Sequence, residues 1–594
     1  MLTYGDDDFA TTLRPFLDGY AQRLSVSPTT LEEARLLLVF AGQLEQAAED
    51  AELHCAAASR HLTAAAAEAF LATLDGRTNP RAAASNLTTP LCALRAASAS
   101  VAHVHLNLKT PEGFAWYALY PDAYVQAARQ WMQANAATRV AVIGIRSIGT
   151  TLAAVVAAAL RCGGRHVAVS TVRPTGHPFD RRTLLTRETC SDADHAIVVD
   201  EGPGLSGSSM ASVARALSEQ GFARHSITFF PGHRHGPGPQ SSAEVCRCWA
   251  GVQQLAVPWQ DIRLGTCRAV ERLSQSAAKV LNEPPRGELV DLSAGKWRVD
   301  GAGRPILGIA PLFEQPKHLV RTATDNAVLL KFVGFTLAGI TPDGMPLSAA
   351  EHQLDRLQTL ADGGFTPRPG GCTDGWLLLP WVRGRQLTAN DAAKVIPHRV
   401  AAYIGRAAES PMPHHEAAEA FDRLRSILLV NGEHLLGQTA AARLTRLSDL
   451  VAPEVQALEI GSYGDGRLAP HEWIDTGDEI LKVDAAGHIR DHTAVGAQSL
   501  LWDVAGAAVE WQLDHEIACD LAFAVGASRL PPVVIAYYCA AYAAFRAGLA
   551  HMCAGASSSA VDRDDLERAR AIYSRRLRTE VARVDAFLPE RAYI

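Results

Sequence analysis

The sequence predicts a multidomain protein of mixed α/β and α+β class, and three observations predict it. The first hundred or so residues are Ala-rich, with apolar side chains recurring at helical spacing. From Asp122 onward short apolar strands alternate with helices, the pattern of a doubly wound parallel sheet. Beyond Pro311 the order changes to a β-hairpin, an amphipathic helix, further short strands and long helices. A chain of 594 residues accommodates two to four domains. The expected division is a helical region over 1–110, an α/β domain over 111–250, a linker or small connecting unit over 251–310 and a second module over 311–594.

Composition narrows the function classes. Apolar residues make up 48% and charged residues 20%, the balance of a globular protein. The net charge of −7 argues against nucleic acid as a partner, because phosphate backbones call for a basic footprint. The eleven cysteines follow no repeating frame and no leader opens the sequence, so a reducing, cytoplasmic setting is expected. The apolar run near Val533 to Phe545 falls short of a membrane span, so no membrane partner is expected, while a homodimer stays open.

In the N-terminal region, Ser27-Pro28-Thr29-Thr30 followed by Glu32 and Glu33 marks a helix start. Leu31, Ala34, Leu37, Leu38, Ala41 and Leu44 then share one face, which makes this a core-facing helix. His54, Cys55 and His61 lack a second cysteine pair to complete a zinc spacing and read as packing or surface residues.

In the α/β domain, Arg139–Gly144 is a strand followed by Arg146, Gly149 and an Ala-rich helix. Ala196–Val199 is a second buried strand that ends in Asp200 and Glu201. The small-residue loop Gly202–Ser209 follows, and then a helix with Met210, Val213, Ala214 and Leu217 on one side. Two carboxylates at a strand end can accept hydrogen bonds from ribose hydroxyls. Gly207 admits close backbone approach, the helix N-terminus favours a phosphate, and Ser206, Ser208 and Ser209 add hydroxyl donors. An ordinary strand–turn–helix with a Gly-rich turn is the plainer alternative.

This arrangement resembles the phosphoribosyl-pyrophosphate (PRPP) motif of type I phosphoribosyltransferases, with Ser206-Gly207-Ser208-Ser209 in place of Thr-Gly-x-Thr and one extra residue before it. The resemblance implies that Asp200 and Glu201 bind the ribose and that Asp200 shares in holding Mg²⁺. It implies that Arg146 and Gly149 belong to a pyrophosphate loop. It further implies that VRPTGHPFDRR is a mobile loop whose Arg173, Arg181 and Arg182 meet the leaving pyrophosphate, with a nucleobase-like acceptor. His233, His235, Cys246 and Cys248 form an HxH…CxC array whose spacing is not a standard zinc one.

In the second module, Lys331 lies inside the second strand of a hairpin, and Glu351 opens a helix whose Leu354, Leu357 and Leu360 face the core. A strand lysine paired with a helix glutamate is the device that positions nucleotide phosphates in kinases. Trp376-Leu-Leu-Leu-Pro-Trp-Val-Arg-Gly384 follows, then Tyr463-Gly464-Asp465, and Asp484 nineteen residues after Asp465. This set resembles aminoglycoside-phosphotransferase-like kinases, with a hinge at 376–384 and a bilobal fold. The resemblance implies that Asp465 orients the attacking hydroxyl, that Asp484 holds Mg²⁺ and that Lys331 and Glu351 bind ATP. The asparagine of that family, five residues past its aspartate, is Pro470 here, which leaves His471 or Glu472 as substitutes. The sequence therefore reads as a bifunctional transferase using PRPP and ATP with Mg²⁺. The alternative is a nucleotide-sensing regulator in which one or both domains are non-catalytic.

Overall fold

The computed structural model describes residues 1–2, 9–26, 30–186, 190, 192–264, 267–298, 306–324, 326–341, 344–408, 414–458, 461–462, 464–485, 487–488, 491, 493, 495–527 and 530–587. Tyr463, part of the motif around Asp465, lies outside the described residues.

Near the N-terminus come helices α1 (Leu13–Ser25), α2 (Leu31–Asp50) and α3 (Ala56–Leu74). Thr30 caps α2 by accepting a hydrogen bond from the Glu33 N–H, and Glu32 and Glu33 complement the positive end of its dipole. From Ala34 to Ala48 every residue of α2 is buried, so this helix lies in the core and does not merely face it. It packs on the following domain so closely that a Cβ at Gly42 would sit 1.9 Å from Thr151 Oγ1.

The α/β domain runs β1 (Arg139–Ile145), α4 (Ile148–Cys162), β2 (His166–Val172), β3 (His195–Val199), α5 (Ser208–Glu219), β4 (Ile227–Phe230) and β5 (Gln253–Gln254). The five strands are parallel in the order β2-β1-β3-β4-β5. β3 and β4 are buried throughout and β1 nearly so, which explains their continuous apolar sequences. The strand order reverses between β1 and β3, and ligands of open parallel sheets bind outside the carboxyl ends at such a point.

The second sheet is antiparallel and takes its edge strand, β6 (Val290–Asp291), from the stretch expected to be a linker. β7 (Lys317–Arg321), β8 (Ala327–Phe332), helix α6 (Ala349–Asp362), β9 (Gly371–Thr373) and β10 (Trp376–Pro380) complete it in the order β6-β7-β8-β10-β9. Val320, Val328, Leu330, Phe332, Trp376 and Leu378 point from one face into the core that also holds α2 and α4. Leu377 and Leu379 point from the other face into a separate core shared with the C-terminal helices.

That last lobe contains α7 (His414–Leu436), α8 (Gln438–Gln456), the short strands β11 (Trp473–Asp475) and β12 (Ile480–Lys482), α9 (Leu501–Glu510), α10 (Pro532–Ala556) and α11 (Ala560–Phe587). The apolar run expected to be too short for a membrane belongs to α10, whose 25 residues are long enough to cross one. Of its most apolar window, 94% is buried among the other helices.

Candidate functional site

Lys331 stands on β8, the central strand of the antiparallel sheet, directly across from Lys317 on β7. Both lysines are buried. Lys331 Nζ bonds Asp484 Oδ1 at 2.6 Å, across 153 residues, and Lys317 Nζ bonds Glu314 Oε2 at 2.6 Å. Asp484 follows β12, which brings it beneath the sheet. Beside it opens a cavity of about 510 Å³, lined by Leu329, Leu379, Trp381, Ile474 and Trp297 and by the charged Lys331, Glu472 and Asp484. The chain from Leu379 to Gly384 forms one wall, where the sequence predicts a hinge.

Burial alone would push the Asp484 carboxyl up. Lys331, His488, Lys317 and Arg467 outweigh that and hold it well below the usual carboxylate range. Glu472 is likewise held down against its burial by Arg467, Lys482 and His488. Arg467 Nε donates to Glu472 Oε1 at 2.6 Å, Lys482 Nζ donates to Glu472 Oε2 at 2.9 Å, and His488 Nε2 lies 3.4 Å from Glu472 and 3.6 Å from Asp484. Of the two substitutes for the missing asparagine, Glu472 thus reaches Asp484. His471 packs its ring 5.9 Å from that of Trp297 on the cavity wall.

Two expectations for this site are corrected. Glu351 does not pair with Lys331. It occupies the third residue of α6, where it completes a capping box with Ser348, and its carboxylate bonds Arg23 of α1 at 2.7 Å. The helix residue near Lys331 is Gln353, two residues further on, whose amide donates to the Ala485 carbonyl at 3.4 Å. Asp465 does not open onto the cleft either. It is 0% exposed, accepts a hydrogen bond from the Tyr403 hydroxyl and lies 3.3 Å from the equally buried Lys482 Nζ. Its backbone N–H and that of Gly466 donate to Asp503, each at 2.8 Å, and this turns the loop so that Arg467 faces Glu472 instead. Tyr403, Lys482 and Arg23 were missed at the sequence level. Lys482 alone left a signal, a charge two residues before Asp484 in an otherwise apolar strand.

Among the described residues, one group of histidine and carboxylate side chains is close enough to hold an ion: Glu472, Asp484 and His488, with ligand atoms within 4.8 Å of one another. Its carboxylate oxygens are hard donors and fit Mg²⁺. His233 and His235 bring their rings to 5.3 Å, but with Cys246 and Cys248 they form no such group.

The second candidate site lies at the carboxyl ends of β1, β2 and β3. Asp200 follows β3, and burial raises its carboxyl to about 7. Its carbonyl accepts a hydrogen bond from the Tyr124 hydroxyl at 2.8 Å. Glu201 turns away, its Oε2 accepting from the Gly113 N–H at 2.6 Å. Gly207 caps α5 with φ +62°, and a Cβ there would fall 2.6 Å from Trp249 Nε1, so glycine is required by packing as well as by backbone. The Ser206 and Ser208 hydroxyls lie 3.0 Å apart, Ser208 also donates to the Pro178 carbonyl at 2.6 Å, and Ser209 follows in the first turn of α5.

Arg146 and Arg173 leave the ends of β1 and β2 and converge, Arg173 donating to the Arg146 carbonyl at 2.9 Å. Both also bond Asp50 at the end of α2, Arg146 at 3.3 Å. Arg181 and Arg182 do not join them. Arg181 folds back to the Gly176 carbonyl at 2.6 Å along its own short hairpin, and Arg182 is exposed. Gly149 is buried in the first turn of α4, and a Cβ there would lie 2.8 Å from the Val199 carbonyl, so glycine is needed for the fit of α4 on β3.

No family model matches the chain, and no curated protein matches it in sequence. Among solved structures it is similar to choline kinase LicA from Streptococcus pneumoniae, with 11% identity, 51% of this chain and 99% of that one covered, and a TM-score of 0.31. A choline/ethanolamine kinase family protein from Mesorhizobium loti shows 14% identity over 53% of this chain and 99% of that one, at a TM-score of 0.34. A macrolide 2'-phosphotransferase type I shows 12% identity over 52% of this chain and 97% of that one, at a TM-score of 0.30.

Proposed function

We propose that the interlobe cleft binds a nucleoside triphosphate, ATP, and transfers its terminal phosphoryl group to a hydroxyl of a small molecule. The observation that carries this reading is the Lys331–Asp484 pair at 2.6 Å, which lines a cavity of about 510 Å³ together with Leu329, Leu379, Trp381 and Ile474. An apolar cavity accepts a flat base, and a lysine in its lining meets phosphate oxygens. Asp484 and Glu472 would hold Mg²⁺, which when bound neutralises charge on the phosphates. The test is calorimetry with ATP and Mg²⁺ on the wild type and on Lys331→Ala and Asp484→Asn, followed by phosphoryl transfer to a panel of hydroxyl compounds. Wild-type affinity falling about tenfold or more in each variant is expected, the loss of one charge-assisted contact. Absence of ATP binding to the wild type would sink the reading.

A second reading rests on a separate observation. Asp200, Arg146, Arg173 and the Ser206–Ser209 loop all stand at the point where the parallel strand order reverses. PRPP fits that combination: carboxylate for ribose hydroxyls, arginines for the diphosphate, a helix N-terminus for the 5′-phosphate. Catalysis of phosphoribosyl transfer to a nucleobase-like acceptor and mere sensing of PRPP differ in one readout, pyrophosphate release when nucleobases are supplied. The eleven unpaired cysteines support a reducing, cytoplasmic setting.

A further inference from the structure

Two cavities are separated by the ion pairs that Glu314 and Arg467 make. The larger is the nucleotide cleft. The smaller, about 50 Å³, lies behind it and is lined by Glu314, Gly466, Arg467, His488 and Asp491 among others. The wall between them is built of two ion pairs, each with one member on either side: Lys317 and Glu472 line the larger cavity, Glu314 and Arg467 the smaller. Lys331 and Lys317 face the nucleotide side, whereas Arg467 faces the smaller cavity. Its Nε is fixed on Glu472 and its Nη2 stands 4.0 Å from Asp484 Oδ2, so the guanidinium reaches two carboxylates that line the nucleotide cavity. It is only 11% exposed, and the loop that carries it is pinned by Asp503.

We propose that Arg467 is the catalytic residue that contacts the phosphoryl group in transit. This rests on the phosphoryl-transfer reading of the cleft. Phosphoryl transfer asks the protein mainly for positioning and charge stabilisation, which a forked, permanently charged guanidinium supplies. The acceptor hydroxyl oxygen bonds the γ-phosphorus while the bond from that phosphorus to the β–γ bridging oxygen breaks, and its electron pair stays on ADP. The hydroxyl proton passes to Asp491, whose carboxylate lines the small cavity and faces His488 at 3.9 Å. Arg467 holds the equatorial phosphoryl oxygens on the acceptor side, opposite the two lysines. A cavity of about 50 Å³ admits water or the end of a hydroxymethyl group, so the acceptor presents a terminal, unhindered hydroxyl.

The experiment measures ATP affinity by calorimetry and ATP turnover, with water as acceptor, for the wild type, Arg467→Ala and Arg467→Lys. Expected is ATP affinity within about threefold of wild type, turnover reduced about 100-fold or more in Arg467→Ala, and partial recovery on adding millimolar guanidinium. Arg467→Lys, which keeps the charge next to Glu472, guards against a folding defect and should be slowed without loss of affinity. Unchanged turnover, or a loss of affinity equal to the loss of turnover with no guanidinium rescue, overturns the assignment of Arg467 while the cleft still binds ATP. A wild type that binds ATP but never turns it over overturns the phosphoryl-transfer reading itself.

Discussion

Arg23 of the N-terminal helices and Glu351 of α6 form an ion pair at 2.7 Å across 328 residues, with Glu33 on the other side of the same guanidinium at 2.7 Å. The helix packed beside the Lys331 strand is thereby clamped by the region that also covers the parallel sheet. Arg35 repeats the arrangement, joining Asp122 at 3.0 Å and Asp374 at 2.7 Å with both partners almost wholly buried.

Arg23→Ala leaves two carboxylates without their counter-ion and should lower stability by about 2–3 kcal/mol, the cost of breaking a largely buried pair. Thermal unfolding checks the loss. Nucleotide affinity should fall in the same variant because α6 loses its anchor, and Arg23→Lys should restore part of both. Unchanged affinity in a destabilised Arg23→Ala would show that the clamp serves the fold alone.

Asp465→Asn separates a buried anchor from a catalytic base. The carboxylate neutralises Lys482, which is 0% exposed, so the amide leaves a buried charge short of one partner. A stability loss of about 2–4 kcal/mol is expected. ATP affinity should hold within about threefold, since Lys331 and Asp484 are untouched. A base would show the reverse, full stability with turnover abolished.

How much of this was legible in the sequence depended on how local each feature is. The strand Ala196–Val199 with its terminal Asp200, and the strands carrying Lys331 and preceding Asp484, could be read because an apolar run that stops at a charge is a short-range signal. The partners of those charges could not. Asp465 looked catalytic from its spacing to Asp484, but its orientation is set by Tyr403, Lys482 and Asp503, which lie 62, 17 and 38 residues away. The stretch 251–310 reads as a linker because Pro and Gly punctuate it, yet the helix Ala269–Leu281 within it buries Ala269, Leu273 and Ala277 at a legible helical spacing, whereas the two-residue edge strand Val290–Asp291 leaves no periodicity to find. Glu351 sat at the right distance from Lys331 in sequence, yet Ser348 three residues before it spelled a capping box.

The Asp50 contact predicts competition at the parallel-sheet site. Glu49 and Asp50 end α2, where the helix dipole is already negative, and no basic residue stands in that last turn. They are stabilised by Arg146 and Arg173, which against the cost of burial hold the Asp50 carboxyl below its usual range. An incoming diphosphate must take those guanidinia over. Glu49→Gln with Asp50→Asn should therefore tighten pyrophosphate binding by about tenfold, the worth of one displaced charge-assisted contact, as measured by calorimetry. Arg146→Ala should abolish binding in both backgrounds. Equal affinity for pyrophosphate with and without the two carboxylates would rule the competition out.

The raised Asp200 carboxyl gives the same site a pH dependence with a definite sign. A carboxyl whose folded pKa lies above its unfolded value binds more protons when folded. Its contribution is therefore neutral below about pH 4, and it destabilises the protein increasingly as pH rises toward about 7. Asp200→Asn stays uncharged, so its stability should gain on the wild type across that window and run parallel to it above. For a ribose ligand the effect inverts, because it is the ionised carboxylate that accepts the hydroxyl hydrogens. PRPP affinity should rise from pH 6 to pH 8 and then level, and binding at pH 6.5 should release a fraction of a proton, visible as a dependence of calorimetric heat on the buffer's protonation enthalpy. The Asp200→Asn variant supplies the slope due to the ligand's own phosphates, and the wild type should exceed it. If the two slopes coincide, Asp200 does not touch the ribose, and the acid pair after β3 serves the fold through its backbone contacts to Tyr124 and Phe230.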